Sequence, residues 1–487
     1  MNRQITRLFV TIVGLFLLLT VATTWWTVPV FGGNGLKSQT IDGQQVNQRP
    51  LLEQQQIPRG VIRAEDGTRL AANRRTGSGQ TRVFERRYPQ GSVFAHAVGY
   101  SYIQAGDSGL ERYYNDELSG NKDEFGSLID QVLGERKEGQ DLRTSLDTRG
   151  QAAALRGLAG RNGSVVALDP STGKVLVLAN VPSYDPNGVV AAQRRGKPQG
   201  SGRFDRATQA RYPPGSTFKV VTAAAGLDTG KYQPDSLISG KNGKKVGGVP
   251  LGNAGGEDFP TITLTDALTQ SVNTVFGEVA EKLGTDTMYR YMRRFGFNQK
   301  PPIDLPGDEL TASGAYNSRG RLLGPDDPVD IGRVGIGQER LQVTPLQMAM
   351  VAATVANGGV LMKPRIGDRF IRPDGRVASN VRHETKARVV SRQTASELTQ
   401  MMRKVVDEGT GTAAAVQGID VAGKTGTAEV ANATANQAWF IAFAPSDDPK
   451  VAIAVTVERT QGQGGVIAAP IAKQVIESLI GKDQADG

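Results

Sequence analysis

One stretch of 16 residues constrains the fold of this chain more than any other: Arg211-Tyr-Pro-Pro-Gly-Ser-Thr-Phe-Lys-Val-Val-Thr-Ala-Ala-Ala-Gly226. Its prolines and first glycine end the preceding element, and an apolar, helix-forming run begins at Ser216. Ser216 is therefore predicted at or near a helix N-terminus, where backbone N–H groups lack partners and the helix dipole is positive. Lys219 follows one turn later on the same face, so its amine can take the Ser216 hydroxyl proton and make that oxygen a nucleophile.

The Ser-x-x-Lys pattern by itself is weak evidence, because this chain contains it three times. The copies are Ser119–Lys122, Ser171–Lys174 and Ser216–Lys219. Only the last combines a helix start signal with an apolar continuation. The Ser171 copy falls in Asp169-Pro-Ser-Thr-Gly173, a predicted turn between strands at 164–168 and 174–179, where turn chemistry explains it.

Composition excludes several other kinds of site. The chain has 487 residues, which predicts two or three domains, and it has no cysteine, which excludes disulfides, thiolate metal sites and a cysteine nucleophile. His96 and His383 are its only histidines, so a histidine-based triad or a multi-histidine metal site is poorly supported. The net charge of +9 comes without a dense Lys/Arg block, which argues against nucleic acid and suits an anionic envelope or membrane surface.

The N-terminus predicts a membrane anchor. Residues 8–28 carry no charge, and these 21 residues would span roughly 32 Å as a helix, enough for a hydrocarbon core of about 30 Å. Arg3 and Arg7 precede the run, and Trp25 and Trp26 lie at its far edge. The positive-inside rule then predicts a single-pass protein with a cytoplasmic N-terminus and an extracytoplasmic remainder. A cleaved signal peptide is the alternative, but no convincing small-x-small cleavage site follows.

Three parts are predicted: a cytoplasmic stub and anchor over 1–31, a non-catalytic platform over 32–150, and a catalytic domain over 151–487. In the last part, strands are expected at 421–430, 438–444 and 451–459, and a final helix at 469–480. With the hairpin at 164–179, they predict one sheet closed by the two ends of the domain and covered by helices. A helix is also predicted over 261–283, with Ser271-Val-Asn273 inside it.

Three short motifs stand in a fixed order along the catalytic part. They are Ser216-x-x-Lys219, then Ser271-x-Asn273, 55 residues after Ser216, and Lys424-Thr-Gly426, 208 residues after Ser216. Each is weak alone, since Ser-x-Asn also occurs at Ser119–Asn121. Together, and each in a plausible element, they would arise by chance in about one chain in a hundred.

With its flanking segments, this set of motifs resembles the penicillin-binding proteins, the active-site-serine D,D-transpeptidases of peptidoglycan synthesis. The likeness covers residue 163 to about 480 and includes Gly335-Ile-Gly-Gln338, Thr344-Pro-Leu-Gln347 and Gly423-Lys-Thr-Gly-Thr-Ala-Glu429. Arg59-Gly-Val-Ile and Gly109-Leu-Glu-Arg-Tyr-Tyr resemble the class B members, and the short platform resembles the PbpA-type proteins of actinobacteria. The resemblance implies an α+β fold of the penicillin-binding/serine β-lactamase kind, a central antiparallel sheet covered by helices, on an extended, dimerisation-like N-terminal platform.

The resemblance also implies a role for each motif residue. Ser216 would attack the carbonyl of the penultimate D-Ala of a stem peptide, with Lys219 as general base. Ser271 would relay the proton to the leaving D-Ala, with Lys424 coupled to it electrostatically. The residues implied in substrate binding are Asn273, Thr425, Gly426 and Thr427, and the backbone N–H groups of Ser216 and Thr427 would form the oxyanion hole. No metal and no organic cofactor is implied.

The expected substrates are lipid-linked or polymerised peptidoglycan stem peptides, and the expected inhibitors are β-lactams. No glycosyltransferase module fits before Gly163, so the resemblance implies a separate, polytopic glycosyltransferase partner at the cytoplasmic membrane. Three alternatives stay open. A D,D-carboxypeptidase differs only in using water as the acceptor. A non-catalytic membrane-tethered scaffold or β-lactam sensor would not need the intact nucleophile. A class A β-lactamase would need a Glu-x-x-x-Asn motif. Near Glu309 that last pattern fails, because position 313 is Ser.

Overall fold

A computed structural model of the chain describes residues 3–27, 39–41, 44–46, 56–78, 82–120, 138–196, 200–429 and 435–481. The chain divides into two compact units, one of residues 1–58 with 75–85 and one of residues 59–74 with 86–487. The smaller unit contains the helix α1 Arg3–Thr27 and an antiparallel pair of strands, β1 Gln39–Ile41 and β2 Gln44–Val46.

The N-terminal helix bears on the predicted membrane anchor. Its described side chains, those of residues 7–23, are all exposed, and most of them are apolar. Over the described part of the chain, no helix is found that is both long enough and apolar enough to cross a membrane. The predicted span at 8–28 is therefore not confirmed, and its last residue lies outside the described residues.

The elements of the larger unit follow, with β4 and β5 belonging to it in part. Its strands are β3 Ile62–Arg63, β4 Arg69–Thr76, β5 Val83–Arg87, β6 Ser101–Tyr102, β7 Gly106–Asp107, β8 Asp141–Thr144, β9 Gly163–Leu168, β10 Val175–Val181, β11 Leu237–Ser239, β12 Lys244–Val246, β13 Val249–Leu251, β14 Thr261–Thr263, β15 Gly314–Ala315, β16 Leu341–Gln342, β17 Val360–Met362, β18 Gly367–Ile371, β19 Val377–Asn380, β20 Thr385–Arg388, β21 Ala422–Glu429, β22 Asn436–Ala444 and β23 Val451–Thr460. Its helices are α2 Ala95–Val98, α3 Gly109–Tyr113, α4 Asn115–Ser119, α5 Thr148–Leu158, α6 Val189–Arg194, α7 Lys219–Asp228, α8 Leu264–Thr269, α9 Asn273–Leu283, α10 Thr285–Arg294, α11 Ile331–Gly335, α12 Pro345–Ala356, α13 Arg392–Asp407, α14 Gly464–Ile467 and α15 Ala469–Ile480.

A five-stranded antiparallel sheet with the order β10–β9–β23–β22–β21 forms the centre of this unit. The early strand β9 pairs with the late strand β23, with Gly163 opposite Val457. The predicted sheet closed by both ends of the domain is therefore present. Its side chains alternate between two apolar cores: Val165 and Ala167 pack with the core of α5 and α15, while Val166 and Leu168 belong to the core that contains α7 and α12.

The central helix α12 shows how local sequence starts an element. The Thr344 side chain accepts a hydrogen bond from the Gln347 N–H, and Pro345 occupies the first helical position. All residues from Pro345 to Val355 are buried, because this helix is covered on every side.

A second sheet has the order β19–β18–β8–β3–β4–β5, with β3 parallel to β8. Its strands β18 and β19 come from residues 367–380, within the part predicted as catalytic, and Phe370 lies opposite Leu142. The platform sheet therefore combines early and late segments of the chain. The division at 1–31, 32–150 and 151–487 stays a prediction.

Candidate active site

The predicted nucleophile lies in a short helical turn, Gly215–Phe218, that we call the nucleophile turn. This turn is a 3-10 turn, and the α-helix proper begins only at Lys219. Ser216 thus lies near a helix N-terminus, as predicted, three residues before the α-helix itself. Gly215 has a φ of 53°, which favours glycine, and its N–H donates to the Gly337 carbonyl at 3.0 Å. The turn is held in place by the Gly335–Gln338 segment that the sequence singled out.

Ser216 itself is partly exposed. Within the described ranges its hydroxyl has no hydrogen-bond partner, and so it does not bond the Lys219 amine that was predicted to take its proton. Hydrogen bonds between a nucleophile and its base are often long before substrate binds and tighten in the complex. The hydroxyl is therefore available to a ligand.

The Lys219 side chain is completely buried and its amine faces the Ser271-x-Asn273 motif. Lys219 Nζ lies 2.7 Å from the Ser271 backbone oxygen, 2.7 Å from Asn273 Oδ1 and 3.3 Å from Ser271 Oγ. Asn273 Nδ2 donates to the Gly252 carbonyl at 2.9 Å, which fixes the amide with its oxygen toward Lys219. The first two predicted motifs are therefore in contact.

Lys424 of β21 approaches the same serine from the sheet. Its side chain is also fully buried, and its Nζ lies 3.0 Å from Ser271 Oγ and 3.0 Å from the Thr425 carbonyl oxygen. The Ser271 hydroxyl is thus shared by two buried amines, one from each flanking motif. This contact joins all three motifs at one oxygen.

Burial determines the charge of this pair. Removal from water lowers the pKa of the Lys219 amine well below its ordinary value, and the positive charge of Lys424 lowers it further. Burial lowers the pKa of Lys424 to about 7. A neutral Lys219 has two N–H groups, which the Ser271 carbonyl and Asn273 Oδ1 can both accept, because these oxygens only accept. Its lone pair then remains for the proton of a hydroxyl.

Ser271 is not inside a helix, so the predicted continuous helix over 261–283 is wrong. The segment divides into β14, α8 and α9, and Ser271 adopts a left-handed conformation with a φ of 58°. Its N–H bonds the Leu268 carbonyl at 3.2 Å, and the Val272 N–H bonds the Ala267 carbonyl at 2.9 Å. These two bonds end α8 in the manner of a Schellman motif, at a position where glycine is usual. The turn directs both oxygens of Ser271 toward Lys219.

The strand β21, which ends the central sheet, packs its backbone against the nucleophile turn. A Cβ placed on Gly215 would lie 2.6 Å from the Thr427 carbonyl oxygen, and one on Gly426 would lie 2.7 Å from the Pro214 carbonyl oxygen. Such distances exclude a side chain, so the two glycines permit this approach. The Thr425 hydroxyl lies 2.6 Å from that of Thr410.

The comparison with known proteins agrees with this arrangement. The penicillin binding protein transpeptidase domain family matches residues 163–477, about two thirds of the chain. The chain belongs to the penicillin-binding proteins. A second family, the penicillin binding protein A dimerisation domain, matches residues 59–142.

Relatives of this penicillin-binding protein include PbpA-type proteins of nearly equal length. Peptidoglycan D,D-transpeptidase PbpA of Mycolicibacterium smegmatis is 35% identical, with 99% of each chain covered. The protein of the same name from Mycobacterium tuberculosis (strain CDC 1551 / Oshkosh) is 36% identical, again with 99% of each chain covered. The structure of penicillin-binding protein A from M. tuberculosis as a ceftriaxone acyl-enzyme complex has a TM-score of 0.78 and 35% identity, and covers 88% of this chain and 99% of that one.

Sequence reasoning missed a loop that positions Asn273 in this penicillin-binding protein. Asn253 Oδ1 accepts a hydrogen bond from the Thr274 N–H at 3.1 Å and so caps α9 from a distant segment. The Nδ2 group of Asn253 donates to two carbonyls, those of Gly240 at 2.8 Å and Glu257 at 3.0 Å. No local signal distinguishes Asn253 within the glycine-rich segment 252–256, because its partners are set by tertiary structure.

The other Ser-x-x-Lys copies differ from Ser216–Lys219 in their surroundings. Ser171 bonds Asp169 through both its N–H and its hydroxyl, as the turn reading predicted. Ser119 is buried, and Lys122 lies outside the described residues. The Glu309 carboxylate accepts from the Gly109 N–H at 3.1 Å, and across the described segments it bonds no residue of the site. Nor do these segments place three His, Asp or Glu side chains together as metal ligands.

Proposed function

We propose that this penicillin-binding protein is a serine D,D-transpeptidase that cross-links peptidoglycan stem peptides through an acyl-enzyme on Ser216, and that β-lactams acylate the same serine. The observation that carries the proposal is the Ser271 hydroxyl shared by the buried amines of Lys219 and Lys424. Such a chain of groups can pass a proton from the nucleophile to the leaving group while the net charge of the site stays the same. The names of the mycobacterial relatives support the same activity.

In the first step, the neutral Lys219 amine accepts the Ser216 hydroxyl proton as the serine oxygen attacks the carbonyl of the penultimate D-Ala. The proton passes through the Ser271 hydroxyl to the nitrogen of the terminal D-Ala, whose amide bond breaks. Lys424 donates to Ser271 Oγ and so orients that hydroxyl. The products are free D-Ala and an ester on Ser216.

The oxyanion formed in this step needs two donors. The Ser216 N–H belongs to the first residues of a helical turn, where backbone donors have no partner within the turn. The Thr427 backbone lies against Gly215, so its N–H is the second candidate. Because β21 ends the sheet, a substrate peptide can pair along it, with the hydroxyls of Thr425 and Thr427 toward its terminal carboxylate and Asn273 toward its amide.

In the second step, an amine of a neighbouring stem peptide attacks the ester. The attacking nitrogen loses a proton through the Ser271 hydroxyl to Lys219, and Lys219 returns it to the Ser216 oxygen as the ester C–O bond breaks. If water attacked instead, the product would be a trimmed monomer. A product assay with stem-peptide substrates separates the two outcomes: a cross-linked dimer supports transpeptidation, and release of tetrapeptide alone contradicts it.

Intact mass after benzylpenicillin treatment tests the nucleophile. The wild-type protein is expected to gain one covalent penicilloyl adduct, and Ser216→Ala is expected to gain none. Ser171→Ala is the matched control, because Ser171 belongs to a second Ser-x-x-Lys pattern in a surface turn. An adduct on Ser216→Ala, or none on wild type, would refute the proposed acyl-enzyme.

We also propose that the chain is anchored by residues 8–28, with the catalytic part outside the cytoplasm, and works with a polytopic glycosyltransferase. The uncharged run, and the exposed apolar side chains of α1, support the anchor. Neither matched region, the dimerisation domain at 59–142 or the transpeptidase domain at 163–477, is a glycosyltransferase, which supports a separate polymerase. Recovery in the soluble fraction would contradict the anchor, and a cross-linked pull-down without a glycosyltransferase would contradict the partnership.

A further inference from the structure

A groove adjoins the nucleophile turn on the side of its preceding residues. We call it the Arg211 groove; its volume is about 890 Å³, and it is lined by residues 209–213, by parts of 310–322 and by the ends of β22 and β23. Trp439 Nε1 donates to the Pro213 carbonyl at 2.9 Å, so the groove wall is fixed to the central sheet. Pro213 lies three positions before Ser216. The groove therefore adjoins the segment that leads into the nucleophile turn, and its lining residue Gln437 is paired with Ala428 of β21.

The Arg211 groove carries uncompensated positive charge. Arg211, Lys300 and Arg459 line it, and over the described residues neither Arg211 nor Arg459 forms an ion pair. Glu458 is the one acidic residue among the lining residues. Its carboxylate is already engaged, because it pairs with Arg206 Nε at 2.8 Å and accepts from the Tyr212 hydroxyl at 2.5 Å. The groove therefore has positive charge that can bind an anion.

The two arginines are held in particular positions. The Arg211 guanidinium stacks over the Tyr316 ring, 4.1 Å from its centroid, which leaves its N–H edge free for a planar acceptor. Arg459 has a left-handed backbone with a φ of 49°, which is costly for a residue with a side chain and is concentrated at functional sites. Between them the groove presents apolar surface, including Phe204, which is 45% exposed.

We propose that the Arg211 groove binds the carboxylate-bearing stem peptide of the acceptor strand. The inference rests on the proposed transpeptidation and names the subsite of its second substrate. Guanidinium groups pair with carboxylates in a bidentate geometry, and a volume of this size accommodates a short peptide segment. The donor peptide is a poorer candidate, because it is placed along β21, and no residue of β21 lines the groove.

The test uses the full-length protein and a donor that acylates Ser216, with the acceptor peptide varied in concentration. One acceptor keeps its side-chain and terminal carboxylates, and a second has them converted to amides. For the carboxylate acceptor, the double variant Arg211→Gln/Arg459→Gln is expected to raise KM about tenfold, with kcat little changed. For the amidated acceptor, wild type and variant are expected to agree.

Arg376→Gln is the control, since it removes an arginine whose side chain is 84% exposed in the turn between β18 and β19. The rate of acylation by benzylpenicillin separates failure of this inference from failure of the proposed function. A wild-type protein that is never acylated would contradict the proposed function itself. Normal acylation with an unchanged acceptor KM in the double variant, or an equal loss for the carboxylate and amide acceptors, would overturn the assignment of the Arg211 groove.

Discussion

The charge of Lys424 should determine the pH at which Ser216 becomes reactive. Acylation needs a neutral Lys219, so its rate rises with pH through the pKa of the Lys219 amine. Burial lowers that pKa first, and the positive charge of Lys424 lowers it further. Lys424→Met keeps a long, flexible side chain but removes the charge. The pKa of Lys219 is then expected to rise, and the acidic limb of the acylation profile to move to higher pH.

The structure gives the size of this shift. Both amines contact Ser271 Oγ, at 3.3 Å and 3.0 Å, so their nitrogens are at most 6.3 Å apart. At an effective dielectric constant of about 20, two charges at that distance repel by about 2.6 kcal/mol, which corresponds to roughly two pH units. Because burial lowers the pKa of Lys424 to about 7, its charge is present mainly below neutral pH, and the full shift applies in that range.

The assay is stopped-flow acylation with a chromogenic β-lactam between pH 5 and 9, fitted for kcat/KM at each pH. Lys424→Met also loses the hydrogen bond to Ser271, so a lower plateau of the acylation rate is expected at high pH. The pH midpoint of the acidic limb reports the charge alone. Lys174→Met is the control. Lys174 belongs to the second Ser-x-x-Lys pattern and pairs with Asp368 of β18. An acidic limb unchanged by Lys424→Met, or one moved to lower pH, would refute this reasoning.

Three further substitutions test the positions of backbone and side chain. Ser271→Gly and Ser271→Ala should both lower the acylation rate at least about 100-fold, because each loses the hydroxyl. The glycine variant should have a free energy of unfolding about 1 kcal/mol above that of the alanine variant, because glycine accepts the left-handed φ of 58°. Equal stability of the two variants in urea unfolding would contradict the strain. Asn253→Ala should lower the free energy of unfolding, measured in urea, by about 2 kcal/mol, since the Thr274 N–H loses its cap and the carbonyls of Gly240 and Glu257 lose their donor. Gly215→Ala should reduce acylation at least about 100-fold, because its Cβ would lie 2.6 Å from the Thr427 carbonyl oxygen, and a near-normal rate by mass spectrometry would count against the packing described for β21.

The sheet and its motifs were readable from sequence because their signals are local. The hairpin of β9 and β10 has two apolar strands around a five-residue turn, and the strands at 422–429, 436–444 and 451–460 lie within about two residues of the predicted ones. The three short motifs, each in a plausible helix or strand, then indicated the residues that the fold brings together. Proximity of the three motifs was an expectation from resemblance, and the contacts at Ser271 Oγ supply the geometry.

What sequence did not reveal depends on distant partners. The break at Ser271 was missed because apolar residues recur at helical spacing from Leu264 to Leu283, and no glycine or proline marks the turn. Asn253 acts through carbonyls and an N–H on other segments, and no periodic pattern encodes those. The same is true of β18, which leaves the catalytic part of the chain to pair with β8.

The pairing of β9 with β23 has a consequence for biosynthesis. Gly163 of β9 cannot pair until Val457 of β23 has been synthesised, about 290 residues later, and only then can the middle of the sheet form. At a ribosomal rate of roughly 5–20 residues per second, that interval lasts about 15 to 60 seconds, and the edge of β9 that pairs with β23 stays unpaired throughout. A nonsense mutation just before Val451 would give a chain that contains Ser216, Lys219 and Lys424. That chain would lack β23, the strand that joins β9 to β22 in the central sheet.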